Sequence, residues 1–324
     1  MKNIRKFETT AEMESAVLTE PYVLYNEETG LVYTNHNGGS NDNEVDYSAE
    51  YLTFEAIEDS TFKLTQSTCQ YSLDEGETWV NLPVNTETST VSAGNKIMFK
   101  CTNPSTSLDY GMGTFSSSGK FNVSGNIMSM LYGDDFVDKT DLTGKYHAFR
   151  ELFSYCTNVV EANNLILPAT TLDYSCYNSM FKGCSSLVNA PELPATTLGD
   201  GFACYNSMFS GCTSLTTAPS ILPATELVDD CYGYMFNGCT SLTTAPILPA
   251  TELGFYCYES MFEGCTNLSE ITMLATEIWA DDCLLDWVSG VASTGTFYKN
   301  PDMDSLPTGT SGIPNGWTVE DAVL

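Results

Sequence analysis

Apolar and polar positions along this chain follow three rhythms, and each predicts a different kind of structure. The first covers residues 1–46. Thr9-Thr10-Ala11-Glu12 has the spacing of a capping box and predicts a short helix over residues 10–19. Pro21-Tyr22-Val23-Leu24-Tyr25 and Leu31-Val32-Tyr33-Thr34, separated by Asn26-Glu27-Glu28-Thr29-Gly30, predict a β-hairpin. The stretch from His36 to Asn43 is polar and glycine-rich, which is linker composition. One helix and one hairpin bury too little to fold alone, so this module needs a partner surface.

The second rhythm runs over residues 47–145. Alternating runs such as Tyr51-Leu52-Thr53-Phe54-Glu55-Ala56 and Lys96-Ile97-Met98-Phe99-Lys100-Cys101 are broken by Gly, Asn, Ser and Pro at short intervals. This predicts an antiparallel β-sandwich. Within it, Ser72-Leu73-Asp74-Glu75-Gly76-Glu77-Thr78-Trp79 matches the Asp-box hairpin pattern of sialidase-like propellers. The whole chain has two arginines, Arg5 and Arg150, whereas sialidases hold their substrate carboxylate with three. The hairpin therefore reads as structural, with Ser72 and Asp74 bonding the turn and Trp79 packed beneath it.

The third rhythm, over residues 146–324, is an internal repeat. Cys176-Tyr177-Asn178-Ser179-Met180-Phe181-Lys182-Gly183-Cys184 returns at Cys204, Cys231 and Cys257, each copy closing on a leucine: Leu187, Leu215, Leu242 and Leu268. Leu167-Pro168-Ala169-Thr170 returns at Leu193, Leu222 and Leu248, in steps of 26, 29 and 26 residues. Apolar residues at i, i+1, i+4, i+5 and i+8 predict one face of a two-turn helix. Gly183, Gly211, Gly238 and Gly264 stand where a left-handed residue would end it, and Asp173, Asp200, Asp229, Asp230 and Asp281 where a cap would start it. The proline-bearing remainder predicts a short strand. One helix and one strand per unit predict an α/β leucine-rich-repeat solenoid. Residues 146–166 read as its opening repeat and 284–324, with Trp287 and Trp317, as its closing cap.

Charge narrows the functions. There are 42 acidic against 12 basic residues, and residues 146–324 alone carry 20 acidic and 3 basic. A chain so poor in Lys and Arg is not built to neutralise nucleic-acid phosphates or to dock on anionic lipid. No apolar run is long enough to insert in a membrane. The basic start is followed by Glu12, Glu14 and Glu20 rather than an apolar core, so no Sec signal peptide is expected. Ten of the twelve cysteines fall in the repeat register and read as free, buried thiols. Equivalent cysteines on helices about 8–10 Å apart would be too distant to bridge. Thiols at this density suit a reducing or anaerobic origin. No C-x-x-C spacing, twelve-residue calcium loop, G-x-S-x-G or nucleotide loop occurs, so no metal, cofactor or enzymatic activity is expected. Thr171, Thr197, Glu226, Glu252 and Glu277 recur just outside the Leu-Pro-Ala-Thr segment and form the candidate ligand-binding row.

The repeat words resemble the BspA-like leucine-rich repeats of gut Bacteroidales surface proteins, over roughly residues 146–300, and that resemblance implies adhesion. The opening Lys2-Asn3-Ile4-Arg5-Lys6-Phe7-Glu8-Thr9-Thr10-Ala11-Glu12, with Pro21-Tyr22-Val23 and Glu27-Glu28-Thr29-Gly30, resembles the leader of virion proteins from tailed phages of those bacteria. Together they imply a virion fibre or decoration protein, multidomain, with an attachment module in 1–46, a β-sandwich in 47–145 and a displayed solenoid in 146–324. Its implied partners are other virion structural proteins, copies of itself (a trimer favoured) and a host-surface glycan or protein. Ile4, Phe7, Tyr22, Leu24 and Val32 are the candidate attachment residues. A bacterial cell-surface adhesin with the same repeats is the alternative.

Overall fold

The computed structural model describes residues 3–7, 22–26, 32–35, 47, 49–101, 111–199, 202–303 and 305–323, the first three of these segments by backbone alone. At the N-terminus, β1 (Asn3–Phe7) pairs in parallel with β2 (Tyr22–Asn26), which pairs antiparallel with β3 (Val32–Asn35). The expected helix–hairpin module is therefore corrected to a three-stranded sheet, in which Asn3–Phe7 takes the parallel place beside β2. The helix expected over residues 10–19 lies outside the described residues.

The next region is a mixed sheet rather than the expected antiparallel sandwich. Its strands are β4 (Leu52–Ala56), β6 (Cys69–Ser72), β7 (Val80–Leu82), β8 (Lys96–Lys100), β10 (Phe121–Asn126) and β11 (Asn164–Ile166), in the order β11-β10-β4-β8-β6-β7. β5 (Phe62–Leu64) and β9 (Phe115–Ser117) form a separate two-stranded ribbon. Phe54 gathers Phe62, Phe99, Phe115 and Phe121 at ring separations of 4.8–5.3 Å. Such aromatic contacts contribute about 0.5–1.5 kcal/mol each beyond simple burial. β11, from the repeat region, joins in parallel to β10, and Phe153 packs on Phe54 and Phe115, so one apolar core runs from this sheet into the repeats.

The α/β leucine-rich-repeat solenoid is overturned. The one α-helix among the described residues is the four-residue α1 (Ser129–Tyr132), and no repeat word is helical. The repeat words fold instead as chains of four-residue turns. Every fourth residue has positive φ: Ser175 51°, Ser179 55° and Gly183 72°, then Ala203 61°, Ser207 56° and Gly211 76°, and likewise through Asp286 and Gly290. Two apolar residues and one outward residue follow Ser175, Ser179, Ala203 and Ser207, whereas each glycine is followed by a single cysteine and then polar residues. An α-helix turns about 100° per residue, so positions four apart drift by roughly 40°. A four-residue turn brings them back to the same side, which is what a strict spacing of four requires. The glycines are left-handed, as the spacing implied, but they end no helix.

Backbone hydrogen bonds alternate accordingly. Asn178, Met180 and Lys182 donate N–H to the carbonyls of Ser175, Tyr177 and Ser179 in their own coil. Tyr177, Ser179, Phe181 and Gly183 donate to Cys204, Asn206, Met208 and Ser210 of the next coil, at 2.7–2.9 Å. The same alternation continues from Ala203 to Ser289, leaving every second N–H to bind a neighbouring coil.

The remaining part of each unit makes little sheet. β12 (Thr244–Leu248), β13 (Glu270–Met273), β14 (Thr296–Lys299) and β15 (Thr318–Asp321) run parallel at the C-terminal end, whereas earlier units make single bridges such as Asn189 to Thr217. Pro191 and Pro219 remove N–H donors from the earlier units, but β12 forms around Pro246 and is the longest of the four, so proline alone does not set where the sheet begins.

Left-handed backbone costs an ordinary residue about 1–2 kcal/mol. Gly211 (φ 76°) has Gly183 Cα 3.6 Å from where its Cβ would stand. Gly211→Val should therefore lower stability by at least that amount. Ser207→Gly, at a left-handed position already carrying a side chain, should be neutral or slightly stabilising. Chemical denaturation of the two variants measures both.

Candidate functional site

The candidate row lies along one edge of the stacked coils. Thr171 bridges to Thr197 and Glu252 to Glu277 in parallel register, and Thr197, Glu226, Glu252 and Glu277 are exposed while Thr171 is half-buried. Backbone contacts hold the register: Thr197 N–H donates to the Thr170 carbonyl at 3.1 Å and Glu277 N–H to the Thr251 carbonyl at 3.0 Å. No bridge joins Glu226 to its equivalents. The row thus consists of two joined pairs and one intervening carboxylate. The Trp279 indole N–H donates to the Glu277 carboxylate, and this indole is 84% exposed.

A second edge escaped the sequence reading. Tyr146, Tyr174, Phe202, Asp229, Phe255 and Asp281 occupy equivalent places just before the first left-handed residue of successive coils, as the ladder from His147 to Tyr174, Ser175 to Phe202 and Asp230 to Phe255 shows. Tyr174 and Phe202 stack at 6.2 Å, and these rings, with Tyr256, are 41–55% exposed. Carboxylates stand between them. Asp229 accepts the Phe255 N–H at 3.3 Å, Asp230 accepts from the Asn206 side-chain amide at 2.8 Å, and Glu259 accepts from the Tyr234 hydroxyl at 2.7 Å. Burial, helped by nearby Glu259 and Asp229, pushes the Asp230 carboxyl up to about 6. The aspartates expected as helix caps serve other bonds: Asp173 accepts from Gly144 N–H in the preceding coil at 2.8 Å and from Tyr174 N–H at 2.7 Å. Asp200 lies outside the described residues. The signal for this edge was the position before the left-handed residue, visible only once the turn period is known.

The Asp-box hairpin is a closed structural device. Ser72 Oγ donates to Asp74 at 2.7 Å and accepts the Gly76 N–H at 2.9 Å, while Asp74 accepts from Thr78 N–H at 2.9 Å and the Thr78 hydroxyl at 2.5 Å. The Thr78 bonds chiefly hold the Asp74 carboxyl below its ordinary range. Beneath the turn, the buried Lys100 ammonium lies 4.0 Å from the Trp79 ring centre and 2.6 Å from Asp134, which also accepts from Tyr51 at 2.8 Å. The Lys100 and Tyr51 bonds lower the Asp134 carboxyl, and burial with Asp134 raises the Tyr51 phenol to about 12. The side chains of Ser72, Asp74, Thr78, Lys100, Asp134 and Tyr51 are thus bonded to one another or to the turn backbone.

All ten cysteines of the repeat register keep their thiols and are buried. The helix-based spacing of 8–10 Å between them falls with the helices, since equivalent rings of adjacent coils stack at 5.1–6.1 Å. Each thiol of the closing position donates instead to a carbonyl of the preceding coil: Cys184 to Phe153, Cys212 to Phe181, Cys239 to Phe209 and Cys265 to Phe236, at 3.0–3.1 Å. Cys69 and Cys101 are joined in a disulfide with Cα atoms 4.5 Å apart, a pairing the sequence reading did not make. The register of β6 against β8, Gln70 opposite Lys100, carries those two residues to facing positions. Among the described residues no group of three or more His, Cys, Asp or Glu is placed to share a metal ion, and no helix is long and apolar enough to cross a membrane.

Of the candidate attachment residues, Ile4 pairs with Val23, Phe7 with Asn26, Tyr22 with Asn3 and Asn35, Leu24 with Arg5 and Tyr33, and Val32 with Tyr25. The backbone therefore brings all five into one small sheet.

Two titrations follow. Burial raises Cys156 to about 11 and Cys176, Cys212 and Cys265 to about 12, against 9.0 for a free thiol. These groups hold their protons longer folded than unfolded, so stability is full below about pH 9 and falls as pH rises through 11–12. Thiol reagents should leave the native protein unmodified near pH 8 and titrate ten thiols in denaturant, or twelve once reductant is added. Asp230 also has a raised folded pKa, so its contribution falls as pH rises from about 4 through 6. Asp230→Asn should raise the melting temperature near neutrality and leave it unchanged below about pH 4, the gain in unfolding free energy being under about 2 kcal/mol because the group is partly solvated.

No protein-family model, curated protein or solved structure matches this chain.

Proposed function

We propose that this chain is a virion structural protein, a head or tail fibre or decoration, that presents the edge of its stacked coils to the host surface. In this reading residues 1–46 attach it to other virion proteins, it assembles with copies of itself as a trimer, and its role is binding rather than catalysis. One observation supports display most directly: polar side chains recur in register along one edge, exposed Glu252 beside exposed Glu277 and exposed Thr197 beside half-buried Thr171. A surface repeated at the spacing of a backbone ladder suits an extended ligand touched weakly at many points. The acidic balance favours neutral or cationic ligands, such as uncharged glycan or a basic protein segment, over anionic ones. The resemblance of the opening residues to phage virion leaders supports the particle as its location.

Antibody against this chain should label intact phage particles at fixed positions, and the purified full-length chain should elute at three times its chain mass. Thr197→Lys with Glu252→Lys should weaken attachment to host cells at least several-fold without changing that mass. A monomer that labels no particle and sits among secretion genes would overturn the reading in favour of a bacterial adhesin.

A further inference from the structure

One column of rings inside the coils carries three buried hydroxyls that no other described residue engages. Tyr177, Tyr205, Tyr232 and Tyr258 stack between Phe149 at one end and Trp287 at the other. All four tyrosines are at most 1% exposed. The hydroxyls of Tyr177, Tyr205 and Tyr232 are buried and have no hydrogen-bond partner among the described residues. The neighbouring column is phenylalanine in every coil: Phe153, Phe181, Phe209, Phe236 and Phe262. Phe149 heads the tyrosine column, so a ring without a hydroxyl also stacks there, and the three buried hydroxyls that follow ask for a use.

The spacing supplies one. Tyr177 and Tyr205 stand 5.5 Å apart at an interplanar angle of 10°, and Tyr205 and Tyr232 stand 5.7 Å apart at 6°. Near-parallel rings set their hydroxyls about one coil apart, too far for a direct O–H to O bond of roughly 2.8 Å and close to twice that length. We infer that this column is a water-binding site, with one water molecule held between the Tyr177 and Tyr205 hydroxyls and a second between those of Tyr205 and Tyr232. Each water accepts from one phenol and donates to the next, and Tyr205 is shared by both. A bridging water needs two to four polar partners, and the two phenols of each pair supply two. The file is closed by the Phe149 ring, which has no hydroxyl.

The test is oxygen-17 and deuterium relaxation dispersion on the wild-type protein, with denaturation of single and double Tyr→Phe variants. Expected are long-lived internal waters whose signal drops by about two molecules when Tyr177, Tyr205 and Tyr232 are all replaced by Phe. Tyr205→Phe should lower the folding equilibrium constant roughly five-fold or more, because it removes an anchor from two waters. Tyr177→Phe and Tyr205→Phe, which share a water, should combine non-additively, whereas Tyr177→Phe and Tyr232→Phe should add. A crystal structure should place density about 2.8 Å from both members of each pair. The inference is overturned if the tyrosine-dependent signal is missing from the wild type, or if Tyr205→Phe leaves stability unchanged or raises it, as removal of a dry, unpaired hydroxyl would.

Discussion

The repeat region depends on one constraint: every second backbone N–H of a coil must find a carbonyl in the next coil. Asn178, Met180 and Lys182 close their own turns, but Tyr177, Ser179, Phe181 and Gly183 have acceptors only on the following unit. A single unit would leave these donors to water and its paired apolar residues exposed. Stacking satisfies both at once, and the left-handed residue at every fourth position is the local cost of turning the chain tightly enough to do so. Serine, aspartate and alanine tolerate this conformation at some positions, and glycine takes it in each of the five coils from Gly183 to Gly290.

The interior follows from that ladder. Residues directly after each left-handed position point to the same side in every coil, so identical side chains meet identical side chains. Phe181, Phe209, Phe236 and Phe262 form one stack of rings, and the tyrosines form another. Cysteine suits the closing position because a small, apolar thiol fits where backbone from two coils converges, while its weak donor reaches the carbonyl of the preceding coil. Burial holds these thiols protonated, which keeps neighbouring sulfurs neutral where thiolates would repel. At the N-terminal end, Phe153 passes the same packing into the sheet around Phe54, so the repeats grow from a β core rather than from a helical cap.

The outer surface inherits the same register. Whatever a unit presents outside its core recurs one ladder step away, which turns separate residues such as Thr171 and Thr197 into neighbours. The aromatic and acidic edge from Tyr146 to Asp281 arises in the same manner. A binding role for these edges is a proposal, and it rests on repetition and exposure together with the resemblance of the opening residues.

The sequence by itself determined the repeat, its buried cysteine, tyrosine, methionine and phenylalanine positions, the left-handed glycines and the Asp-box turn. These are local or periodic properties, readable from residue type and spacing. It also contained the evidence against a helix, since Cys176, Met180 and Cys184 keep a period of four that an α-helix drifts away from, yet over nine residues that drift is small enough to pass for a helical face. Only the tertiary structure decided between the two, because the choice rests on where the N–H groups of Tyr177 and Ser179 find acceptors, and those acceptors lie on another coil. The Cys69–Cys101 disulfide, the parallel placing of Asn3–Phe7 beside β2 and the aromatic edge were hidden for the same reason: each depends on the register between segments distant in the chain, which residue spacing does not encode.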